Sequence, residues 1–187
     1  MKKCLIVVDM QYDFTNPNGS LYVKDGDKII SSINYLISKF KLDNLENFII
    51  ASRDWHPVSH ISFKDNGGEW PVHCVVNEKG SKLVIDESNI DIIINKGKNK
   101  NKEEYSCILT DKVASLVKSY DEIYVCGLAG DFCVKNTINK LLNKIIKDKC
   151  KIFFIEDLIK DVFPENRIKL LDEMKEENVI IVKSNEI

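Results

Sequence analysis

No apolar run in the chain approaches the roughly 18 to 20 residues that a membrane-spanning helix needs. The start MKKCLIVVDMQ turns acidic at Asp9, where a signal peptide would still require apolar residues, so a cytoplasmic protein is expected. An excess of charge is missing as well: the formal net charge is -2, which leaves no basic stripe for nucleic acid or an anionic membrane surface. CxxC pairs are absent, and the six cysteines (Cys4, Cys74, Cys107, Cys126, Cys133, Cys150) are scattered. In a reducing compartment such a scatter argues against a disulfide framework. Arginine is nearly lacking, with only Arg53 and Arg167 against much lysine, isoleucine and asparagine, a coding bias that carries no chemistry. What these absences leave is a small-molecule partner.

What is present is enough apolar material for one core: 187 residues, 44% of them hydrophobic, read as a single domain over residues 1–187. Cys4 to Val8 form a continuous apolar run that stops at Asp9, the pattern of a strand buried on both faces of a parallel sheet. The same strand-then-polar pattern recurs at residues 47–52, 92–95, 123–126 and 151–155, with a last strand at 179–182. Between them, helical spacing covers residues 27–39 (Ile29, Ile30, Ile33, Leu36, Ile37), 111–118, 133–147 and 165–176. Alternating strands and helices predict an α/β fold, a three-layer doubly wound sandwich around a central, mostly parallel sheet. Open sheets of this kind bind ligands beyond the carboxyl ends of their strands, where Asp9, Asp54, Lys96 and the turn Gly127 to Cys133 fall. No internal repeat is visible; residues 96–104 form a polar loop and 53–80 a long one, and long loops in small domains tend to be functional.

A thiol attacks an amide as thiolate, so a nucleophilic cysteine needs help to lower a pKa of about 8.5. The turn GLAGDFC sets Cys133 at a predicted helix start, where backbone N–H groups favour negative charge. Asp9 could take the thiol proton and Lys96 could hold both anions in register. Taken singly, each residue has a plainer reading: Cys133 as a small buried hydrophobe, Asp9 as a turn cap, Lys96 as one more charge in a lysine-rich loop. All three histidines (His56, His60, His73) share one stretch that begins at Asp54, a donor set suited to Zn2+ or Fe2+, although solvated loop histidines would look the same by spacing alone.

Several segments together resemble one family. VVDMQYDF (7–14), ASRDWHP (51–57), HISF (60–63), WPVHCV (70–75), NKG (95–97), EYS (104–106) and GLAGDFCV (127–134) resemble the isochorismatase-like cysteine hydrolases and, within them, the nicotinamidases. The resemblance runs from near Met1 to about Thr137; beyond it only the order of strand and helix agrees. It implies the isochorismatase-like hydrolase fold, an amidohydrolase that converts nicotinamide to nicotinate and ammonia, Asp9 as general base, Lys96 as the lysine of a triad and Cys133 as nucleophile. It further implies a cis peptide between Leu128 and Ala129, with an oxyanion hole from the N–H groups of Ala129 and Cys133. Two departures stand in the turn: the family commonly has Thr and Tyr where this chain has Gly130 and Phe132.

By the same resemblance, Asp54, His56 and His73 ligate one divalent metal ion, Zn2+ first with Fe2+ or Mn2+ as substitutes, that anchors the pyridine nitrogen. His60 is left open as a further ligand. Phe14, Trp70 and Tyr105 are implied around the flat ring, with plain core packing as the other reading for Phe14. The product would feed NAD salvage, and relatives form dimers or larger homo-oligomers. Two rivals remain: another small-amide or ureide hydrolase of this fold, and a binding module without catalysis, although such modules lack the cysteine.

Overall fold

The computed structural model describes residues 1–145 and 150–187. Six strands, β1 (Lys3–Val8), β2 (Phe48–Asp54), β3 (Ile92–Lys96), β4 (Glu122–Leu128), β5 (Lys151–Lys160) and β6 (Ile180–Val182), form one sheet in the order β3-β2-β1-β4-β5-β6. Every pairing is parallel, so the sheet goes beyond the mostly parallel expectation. The central strands show why their sequences are unbroken apolar runs. Cys4 to Val8 in β1 and all seven residues of β4 are buried, since helices cover both faces and no side of these strands meets water.

The helices are α1 (Tyr12–Thr15), α2 (Ile30–Asp43), α3 (Asp111–Val117), α4 (Lys135–Ile145) and α5 (Arg167–Glu176). Helix α2 buries Ile33, Leu36, Ile37 and Phe40, and Phe40 meets Tyr124 of β4 edge to face at 5.5 Å. Given the strand order, the right-handed crossovers that parallel strands favour assign α2 to one face of the sheet and α3, α4 and α5 to the other, which gives the three layers. Thr110 caps α3 by accepting from the Val113 N–H.

Several boundaries differ from the sequence reading, among them these three. The helix expected over 27–39 opens as a 3-10 turn at Asp27–Ile29 and runs on to Asp43. Strand β5 continues past Ile155 to Lys160 because Leu158 and Ile159 are buried again after the outward Glu156 and Asp157. The helix expected from Cys133 is preceded by a wide π-helical turn, Gly130–Val134, before α4 begins; its expected last residues, 146 and 147, lie outside the described residues.

The strand order reverses between β1 and β4, and that switch point is where an open parallel sheet leaves a crevice. Asp9 follows β1 and the turn holding Cys133 follows β4, on either side of the crevice. Gly127 makes the junction possible: it has φ +108 and pairs with Val8, and an added Cβ would lie 2.1 Å from the Val8 carbonyl oxygen. Gly127→Ala is therefore expected to destabilise the protein by about 3 kcal/mol or more, read as a lowered midpoint in urea unfolding.

Candidate active site

Three strands deliver three side chains to one point. Lys96 ends β3, Asp9 follows β1, and Cys133 lies in the turn after β4. All three are buried, Asp9 and Lys96 almost completely. Ser52 in β2 donates from Oγ to Asp9 Oδ1 at 2.7 Å. Lys96 Nζ stands 2.9 Å from Asp9 Oδ2 as an ion pair and donates to Cys133 Sγ at 3.4 Å. The same ammonium bonds Asp54 Oδ1. Two buried carboxylates thus share one cation, and their attraction to it has to offset a large desolvation cost.

The protonation states follow from that sharing. Burial works against the Lys96 cation, but Asp54, Asp9 and Cys133 outweigh it and hold the ammonium charged. Burial pushes Asp9 above the ordinary carboxylate range, against the pull of Lys96. Burial also pushes on Asp54, yet Lys96 and His56 win there and keep it well below that range. Cys133 corrects the sequence reading, which expected a depressed thiol at a helix start. Burial raises it well above its ordinary value, Lys96 pulls it down, and Asp9 and Asp54 push it up again. The resting pair is a neutral thiol beside a carboxyl group of raised pKa, so both partners of the proton transfer are displaced in the same direction.

Beside this trio, Asp54, His56 and His73 present one donor atom each within 4.8 Å of one another. Their chemistry fits a divalent ion. The Nδ1 atoms of His56 and His73 donate to the carbonyl oxygens of Gly97 at 3.0 Å and Pro71 at 2.7 Å. Each Nε2 lone pair is thereby left free, 3.6 Å and 3.9 Å from the Asp54 oxygens. The two carboxylates also outnumber the one ammonium, so a further cation is electrostatically welcome. His60, left open by the sequence, is settled by its bonds. Its Nε2 donates to Lys102 O at 3.1 Å and its Nδ1 accepts from the Ser62 N–H at 3.2 Å, so no lone pair remains for a metal. Its ring instead lies 4.1 Å from the His56 ring and backs it.

A cavity opens onto both groups, lined by Cys133 and Ala129, by Asp54 and His73, and by Phe14, Trp70 and Tyr105. Trp70 Nε1 donates to the Tyr105 hydroxyl at 3.0 Å, and Phe132 meets Trp70 edge to face at 4.9 Å. Phe14 is buried, lines the cavity and stands 5.6 Å from the His73 ring. The Leu128–Ala129 peptide is cis. Asp9, Lys96, Cys133, Ala129, Asp54, His56, His73, Phe14, Trp70 and Tyr105 thus border this cavity or the buried cluster behind it.

Sequence reasoning passed over several supports. Gln11 is fully buried and clamps Asp54, donating from Nε2 to its carbonyl oxygen at 2.8 Å and accepting from its N–H at 2.7 Å. Asp13 accepts from the Cys74 N–H at 2.7 Å and so pins the loop that carries His73. Leu21, Val23, Phe132 and Val162 complete the cavity wall. Gln11 and Asp13 stand within VVDMQYDF, whose polar residues in an otherwise apolar segment were the available signal; Leu21, Val23 and Val162 gave none.

Comparison with known proteins agrees with this geometry. The family model described as Isochorismatase domain matches residues 3–186. The nicotinamidase of Saccharomyces cerevisiae is 33% identical, over 96% of this chain and 99% of its own length. Among solved structures, the pyrazinamidase of Pyrococcus horikoshii in complex with zinc superposes with a TM-score of 0.88 at 38% identity, covering 97% of this chain and 98% of that one. PnC1 from L. infantum in complex with nicotinate gives 0.88 at 32% identity, covering 98% and 93%. The chain belongs to the isochorismatase family, on the branch that holds the nicotinamidases.

Proposed function

We propose that this protein hydrolyses nicotinamide to nicotinate and ammonia through a thioester on Cys133. The observation that carries this reading is the cavity itself, with a thiol at one end, a metal-type donor set at the other and aromatic walls between. A flat ring held against Trp70, Tyr105 and Phe14 directs its carboxamide at Sγ, which supplies orientation before any bond is made. Asp9 takes the thiol proton, and Lys96 between the two stabilises the thiolate as it forms. The thiolate attacks the amide carbon. The oxyanion is received by the N–H groups of Ala129 and Cys133, and Asp9 returns its proton to the leaving nitrogen, releasing ammonia. Water, deprotonated by Asp9, then attacks the thioester, and nicotinate leaves with the thiol restored.

Asp54, His56 and His73 would hold one divalent metal, zinc in our reading, which supplies a coordination point for the pyridine nitrogen. The zinc in the P. horikoshii relative and the donor chemistry support this assignment. Gln11, Gly97, Pro71 and His60 fix the ligands before the ion arrives. We also read residues 1–187 as one domain, acting in the cytoplasm as a homo-oligomer and returning nicotinate to NAD salvage. Among the described residues no helix is long and apolar enough to cross a membrane.

Purified protein given nicotinamide should release ammonia, and Cys133→Ala should lose this by at least about a thousandfold while keeping its fold; an active alanine variant would overturn the mechanism. Stripping with a chelator should abolish turnover, and zinc should restore it. Full activity of the stripped protein would remove the ring anchor. Lys96→Met should lower stability by about 3–5 kcal/mol, because Asp9 and Asp54 are then buried without their shared cation. Urea denaturation at neutral pH reads this loss, and at a pH low enough to protonate both carboxyl groups the deficit should shrink.

A further inference from the structure

Gly130 opens the nucleophile turn, and its backbone does not explain it. Among the described glycines only Gly67, Gly97 and Gly127 have positive φ, so the conformation at 130 is open to any residue. Space explains it instead. A Cβ at this position would stand 2.0 Å from Asp161 Oδ1 and 2.7 Å from Ile159 Cγ2. Asp161 cannot swing aside. It is 4% exposed, its Oδ2 lies 2.5 Å from Arg167 Nε, and Arg167 is tied in turn by a 2.8 Å bond from Nη2 to the Ile159 carbonyl oxygen.

Asp161 Oδ1, the atom that faces Gly130, has no hydrogen-bond partner among the described residues. An unpaired buried polar atom is costly, and burial pushes this carboxyl up to about 6 in spite of Arg167. Pairing with Arg167 occupies the other oxygen, so fastening the start of α5 does not account for Oδ1. The neighbouring residues grip the same turn: Asp131 accepts from the N–H groups of Val162 at 3.0 Å and Phe163 at 2.8 Å, and Val162 lines the cavity.

We propose that Asp161, held by Arg167, is a positioning residue that fills the place of a side chain at 130 and sets the turn Ala129–Cys133 against Lys96 and Asp9. It acts through the turn and touches no reacting atom. This inference rests on the amidase reading above. Gly130 and Asp161 are then one unit: enlarging the first requires shrinking the second.

The test is a double-mutant cycle with kcat and KM for nicotinamide measured separately, and melting temperatures taken alongside. Gly130→Thr should lower kcat about 100-fold, the scale of a misplaced reacting group, with KM changed by less than about threefold. Adding Asp161→Gly to it should recover kcat to within about fivefold of wild type. Should Gly130→Thr fail to fold, Gly130→Ala takes its place with the same expected rescue. Wild-type kcat in Gly130→Thr, or a double variant no better than the single one, overturns the inference. An inactive wild-type protein defeats the amidase reading, which is a separate outcome.

Discussion

The Lys96 ammonium is the constraint around which the rest is arranged. It is buried at the end of β3 and serves two carboxylates and a thiol that arrive from three other strands. A cation in that position is tolerable only because Asp9 and Asp54 are also there, and they are tolerable only because of it. The sheet order brings the four together: β2 and β3 carry Asp54 and Lys96 side by side, and the β1–β4 switch brings Asp9 to Cys133. The wall of the reaction site and its centre of charge are thus consequences of one topology.

The opposite displacement of the two aspartates follows from the same sharing. Asp54 lies among Lys96, His56 and His73 and stays ionised, the state a metal ligand needs. Asp9 is deeper, with Ser52 and Lys96 as its partners, and burial lifts it toward the range of a proton acceptor for a thiol. Two side chains of one type are displaced in opposite directions because their surroundings differ. Cys133 reads the same field: burial and the two aspartates raise its thiol at rest, against the pull of Lys96.

Much of this was legible in the sequence, and the reasons are physical. Strands β1 and β4 are buried on both faces, so their apolar runs could hardly be anything else. Asp9 was conspicuous because it ends such a run with a charge, and Asp54 and Lys96 because they fall at the carboxyl ends of neighbouring strands. The pKa of Cys133 was misjudged because helix-start electrostatics can be read from a turn motif, whereas desolvation depends on what other segments cover it. His60 looked like His56 and His73 in spacing; only its bonds to Ser62 and Lys102, the latter from a distant loop, removed it from the ligand set. Asp161 was invisible for the same reason, since its significance is a distance to Gly130 across β4 and β5.

Trp70 and Tyr105 belong to two long loops, and the bond between them closes the wall of the cavity. The reacting groups are set by strand ends, whereas most of the wall hangs on these irregular segments and on Phe132. Under the proposed mechanism the reaction and the choice of substrate are therefore separate mechanical parts, and a change in loop sequence can alter what is admitted without displacing the groups assigned to the chemistry.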